Sequence, residues 1–139
     1  MRVVTAALEL VSERRVQRVY RVAGVGFEVL AGADDGEGAR RAVASWLALH
    51  GGATGAGLYF MRKLLGLTGV ELGRLLHRRT STISRWENDE RPIPNSAWVV
   101  VGAMVLERCG LPGRTEQLLR NARERGPRPE SVQLIVSEV

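Results

Sequence analysis

The sequence contains a single cysteine, Cys109, and only two histidines, His50 and His77. One thiol forms no internal disulfide, and structural zinc usually takes four Cys or His ligands, so neither kind of staple is available. With no paired carboxylates and no nucleophile beside a base, the same shortage argues against an enzyme, and no cofactor is expected. Long apolar runs are also missing. The longest, residues 97–106, covers about 15 Å as a helix, half of the ~30 Å hydrocarbon core of a bilayer, which argues against a membrane span. The N-terminal stretch meets Glu9 before an apolar segment of signal length develops, and no small-residue cleavage pattern follows, so a cytoplasmic protein is expected. Internal repeats and low-complexity tracts are absent.

What is present is globular composition: 45% of the 139 residues are hydrophobic and 25% charged, enough for one ordinary domain or a small domain with an arm. The net charge of +5 favours a polyanionic partner. Its distribution is more telling. Arg plus Lys against Asp plus Glu runs 7 to 6 over residues 1–50, 7 to 4 over 51–95 and 6 to 5 over 96–139. The middle third is the basic one. Nearly all the cations are Arg, as a GC-rich genome would also produce.

Residues 16–22 show a partial period-two pattern, with Val16, Arg18, Tyr20 and Val22 on one face of a strand. A turn at 23–26 and a second short strand at 27–30 complete a hairpin. Residues 32–38 read as loop and 39–50 as a helix, giving a small α+β N-terminal unit over 1–52. The segment GGATGAG, residues 51–57, reads as a linker; it resembles a phosphate loop only superficially, because no Lys-Ser/Thr follows it.

From Leu58 the pattern turns helical, with Leu58, Met61 and Leu65 on one face and Gly66 at the end. Thr68-Gly69-Val70-Glu71 has the form of a capping box, so a second helix starts at Thr68 and runs through Leu72, Leu75 and Leu76. After His77-Arg78-Arg79, either Thr80 or Ser81 can cap a third helix that runs to about Asn88. There Ile83 and Trp86 point inward, leaving Ser81, Thr82, Arg85 and Asn88 outside. The prolines of DERPIP, residues 89–94, impose a rigid loop. Asn95 can cap a fourth helix to Cys109-Gly110, and 112–125 form a fifth, amphipathic one. Residues 131–139 read as a strand, pairing either with 16–22 of the same chain or across a dimer as an edge strand. The expected fold is mainly α: a five-helix unit over 58–126, the α+β unit before it, and a C-terminal strand or arm over 127–139. Trp46 and Trp98 read as packing residues and Trp86 as a core plug.

Two short helices joined by a tight turn, the second opening on small polar residues with an Arg one turn on, suit the major groove of double-stranded DNA. Arg85 can donate two hydrogen bonds to guanine O6 and N7, and Thr80, Ser81 and Thr82 are short enough to let the helix approach base edges. Arg78, Arg79 and Arg91 are phosphate candidates from their charge. His77 is either a further phosphate contact or a solvated turn residue.

The stretch MRKLLGLTGVELGRLLHRRTSTISRWENDERPIP, within residues 58–105, resembles the XRE family of helix-turn-helix proteins related to the lambda and 434 repressors and Cro. The resemblance implies a lambda-repressor-like helix-turn-helix domain. It also implies a partly buried ion pair between Arg62 and Glu87, base reading by Thr80, Ser81 and Arg85, and phosphate contacts from Thr68 and Asn88. The sequence departs from the family at Gly69, where a phosphate-binding Gln is common. It departs at His77-Arg78, where the turn is expected to be wider or more exposed, and at Asp89, which replaces a frequent Gly. A second resemblance, to MqsA-type antitoxins, rests on Tyr20–Gly24, Phe27-Glu28-Val29 and RWENDERPIP. It implies a toxin partner for residues 1–50, without the zinc site, whose cysteines are absent.

Residues 97–106 are apolar nearly all round, more than one helix in a small domain buries against its own core. This surface is expected either to meet a second subunit through Trp98, Val101 and Val105, or to be covered by the fifth helix and the N-terminal unit. The expected function is that of a dimeric transcriptional repressor reading a palindromic operator. The competing class is an antitoxin-like protein-interaction module that binds a toxin or other protein through its N-terminal unit.

Overall fold

The computed structural model of the chain describes residues 3–10, 16–23, 25–31, 36–123 and 131–138. Among these residues six helices dominate: α1 (Glu37–His50), α2 (Gly55–Leu64), α3 (Gly69–Leu76), α4 (Thr80–Glu87), α5 (Asn95–Arg108) and α6 (Thr115–Arg123). Four strands accompany them: β1 (Val3–Leu10), β2 (Val16–Ala23), β3 (Gly26–Ala31) and β4 (Ser131–Glu138).

The strands form one sheet in the order β1-β4-β2-β3. β2 and β3 make the expected hairpin, with Ala23 opposite Gly26 and a register shift between Val19 and Tyr20. β4 pairs antiparallel with β2, from Val16↔Glu138 to Val22↔Val132. On its other side it pairs parallel with β1, from Val3↔Ser131 to Leu10↔Glu138. Of the two pairings the sequence leaves open for this strand, the structure has the one with residues 16–22 of the same chain, and β4 stands inside the sheet rather than at its edge. The register gathers Val4, Val132, Val22 and Phe27 into one cross-strand row and Thr5, Gln133, Arg21 and Glu28 into the next.

α1 is the centre of the molecule. Residues 42–49 are buried without interruption, so the helix is covered on all sides. α5, α2 and α6 pack against it, and β3 of the sheet touches it. Its small residues let α5 come close: a Cβ added to Gly102 would stand 3.2 Å from that of Ala48. Asn121 of α6 donates Nδ2–H to the Leu49 carbonyl at 2.7 Å, satisfying a group that the end of α1 leaves open.

This packing corrects the expected subunit interface. Trp98, Val101 and Val105 are each 0% exposed. The face of α5 that carries them is packed inside one chain against α1, α2 and α6, so these three side chains are core and cannot meet a second subunit.

The expected linker also turns out otherwise. α2 starts at Gly55, three residues before Leu58, because the Thr54 hydroxyl accepts from Gly57 N at 3.1 Å and caps it. Its glycines are packing positions. A Cβ at Gly55 would lie 2.2 Å from the Glu87 carbonyl oxygen, and one at Gly57 2.9 Å from the Trp98 ring. Three other helix starts are displaced. Arg79 and Pro94 occupy the cap positions expected for Thr80 or Ser81 and for Asn95, with no side-chain cap bond at either. α6 begins at Thr115 rather than 112, after Gly113 takes a φ of 76°.

Candidate nucleic-acid interface

α3 is set by its cap. Thr68 Oγ1 accepts from Glu71 N at 3.1 Å, half of a capping box. The other half differs from the expected form, since the Glu71 carboxylate accepts from the Thr68 hydroxyl at 3.0 Å rather than from an amide. α3 ends where His77 adopts the left-handed conformation at φ 55° and Arg78 N donates to the Gly73 carbonyl at 2.8 Å. A Cβ at Gly73 would stand 2.7 Å from the Arg78 oxygen, so only glycine admits this closure. The turn of residues 77–79 is exposed, as expected, but tight rather than wide. It brings the starts of α3 and α4 together: a Cβ at Gly69 would lie 3.8 Å from Thr80 Cγ2.

α4 is anchored by Ile83 and Trp86, 1% and 4% exposed. Ser81, Ser84, Arg85 and Asn88 are all exposed, and their spacing of three and four puts them on one face. Thr80 is exposed beside this stripe, whereas Thr82 is half-buried and so less available than its neighbours. Ser84 is not among the residues the sequence reading singles out, although its distance from Ser81 and Asn88 is the spacing that marks a helix face. The Asn88 amide donates to its hydroxyl at 3.3 Å.

Three interactions hold α4 in place. The Arg62 guanidinium donates from Nε and Nη2 to both carboxylate oxygens of Glu87, at 2.8 and 2.9 Å, and from Nη1 to the Leu67 carbonyl at 3.0 Å. The hydrogen bond to Glu87 raises the pKa of Arg62 despite its partial burial. The third interaction explains Asp89. It sits at φ 57°, where glycine is the easier residue, and its Oδ1 accepts from Gly55 N at 2.9 Å. The carboxylate thus caps α2 while the backbone turns out of α4. Asp89→Ala keeps the strained backbone and loses the cap, so it is expected to cost about 1 kcal/mol in urea unfolding. Asp89→Gly also loses the cap but relieves the strain, and should stay closer to the wild type.

Arg78, Arg79, Arg85 and Arg91 are exposed, and none has an ion-pair partner among the described residues. Arg91 N reaches back to the Arg85 carbonyl at 3.4 Å, which holds the start of the following loop against the end of α4. Beside α4 runs an open groove of about 590 Å³, lined by Thr80, Ser84 and Asn88, by Tyr59 of α2, and by Val25 of the β2–β3 turn. Arg62 and Lys63 stack on the Tyr59 ring at 5.1 and 5.6 Å.

No group of three His, Cys, Asp or Glu stands together to hold a metal ion among the described residues, and none of their helices is long and apolar enough to cross a membrane. Cys109 is buried, and burial pushes its thiol up, away from the reactive thiolate. No protein-family model, curated protein or solved structure matches this chain.

Proposed function

We propose that the protein is a sequence-specific, double-stranded DNA-binding transcriptional regulator in which α3, the turn of residues 77–79 and α4 form a helix-turn-helix of the XRE type. α4 enters the major groove. The observation that carries this reading is the stripe of Ser81, Ser84, Arg85 and Asn88, exposed on a helix whose opposite side is locked by Ile83 and Trp86. Short polar side chains let the helix approach base edges, and Arg85 supplies the bidentate donor for guanine. Thr68, Arg78, Arg79 and Arg91 flank the stripe and bind phosphate, which fixes register without reading sequence. Bound at an operator, such a protein acts as a repressor by excluding polymerase.

Selection of bound duplexes from a random pool, followed by titration of the enriched site, tests this. Wild type is expected to enrich one sequence, and Arg85→Ala to lose about 1–3 kcal/mol at one base pair with relaxed preference there. Arg78→Ala with Arg79→Ala should instead weaken all duplexes alike and flatten the dependence of log affinity on log salt by about 0.9 per lost contact. No enrichment, with wild type and Arg85→Ala binding every duplex equally, refutes the reading.

A further inference from the structure

An operator reader of this size needs a second copy, since one recognition helix spans only a few base pairs. The face of α5 that the sequence offered for this is spent in the core, so another surface must serve. The sheet has two outer strands. β3 lies against α1, whereas β1 is paired along all eight of its residues with β4 and with no described strand on its other side. Sheet edges that stay single are normally blunted by Lys, Pro, a bulge or short length. β1 reads VVTAALEL, with Glu9 its only charge, no proline, and a register that runs unbroken from Val3 to Leu10.

We propose that β1 is the dimerisation edge, where it pairs antiparallel with β1 of a second copy and joins two four-stranded sheets into one of eight. An antiparallel pair of identical strands is self-complementary about a two-fold axis. The pairing therefore closes at two copies and imposes on the two α4 helices the symmetry of a palindrome. The backbone groups of the edge supply the bonds, and the lack of like charges along β1 leaves nothing to repel the partner. The need for two copies rests on the DNA-binding reading, but the edge itself does not.

Sedimentation equilibrium of the full chain without DNA is the test, so loss of DNA binding and loss of the dimer are read separately. Wild type is expected at twice its 15.2 kDa chain mass. Successive strand residues direct their N–H groups to opposite sides, so Ala6→Pro and Ala7→Pro strike different neighbours. One of the two should raise the dimer dissociation constant about tenfold or more while its helical circular dichroism and melting stay those of the wild type. The other should disturb the β1–β4 pairing and lower the melting temperature. A monomeric wild type over the whole concentration range overturns the proposal. So does retention of the dimer by both variants, or a mass that climbs past two copies.

Discussion

Trp98→Ala is expected to lower the unfolding free energy by about 3–5 kcal/mol, the range for truncating a large buried aromatic. Trp98 is 0% exposed and meets α2 at Gly57, where a Cβ would stand 2.9 Å from the ring. α2 closes on α5 only because the two residues are a large one and the smallest one. Removing the indole therefore leaves a void that backbone glycine cannot fill. Urea unfolding followed by circular dichroism gives the magnitude, and the mass of the folded variant gives the contrast. A residue at a subunit interface would change the oligomeric state with little effect on each folded chain. For Trp98 the loss should fall on stability alone, with the folded mass unchanged.

Arg62→Ala should cost about 2–4 kcal/mol, somewhat less than breaking a fully buried pair. Both side chains of the Arg62–Glu87 pair are 11% exposed, so the alanine variant leaves a carboxylate largely shielded from water without its guanidinium. The Leu67 carbonyl loses its donor as well. Replacing both partners, as Arg62→Met with Glu87→Leu, should recover much of the loss, because an apolar pair carries no desolvation debt. If the double variant is as unstable as Arg62→Ala, the pair matters through geometry rather than charge. α4 would then be held by that fork, and DNA binding should fall in both variants.

Much of the α3–α4 region was legible because its signals are local. The Thr68 cap, the inward Ile83 and Trp86 and the outward Ser81 and Arg85 all follow from spacing within a single helix. The Arg62–Glu87 pair was legible only through family resemblance, since nothing local joins residues on two separate helices. Where meaning depends on a distant neighbour, sequence reasoning went astray. Gly55 and Gly57 have the composition of a linker, and only the approach of Glu87 and Trp98 reveals them as contact points. α5 reads as apolar nearly all round, but its sequence alone leaves open a second subunit or the rest of the chain as its cover, and only the packing of α1 and α6 against it decides for the chain. β1 went unread because its partner, β4, lies at the other end of the chain and its Ala and Leu residues favour no strand. Asp89 looked like a poor substitute for glycine, and its second task, capping α2, shows only in three dimensions.

The central claim is that Arg85 on the exposed face of α4 reads a guanine from the major groove. Replacing the preferred guanine of the selected site by 7-deazaguanine removes the N7 acceptor and leaves Watson–Crick pairing intact. Wild-type protein is expected to lose about 0.5–1.5 kcal/mol of binding on that duplex, the worth of one of the two hydrogen bonds, and Arg85→Ala to bind both duplexes equally. Equal loss by the two proteins, or none by either, would contradict the claim.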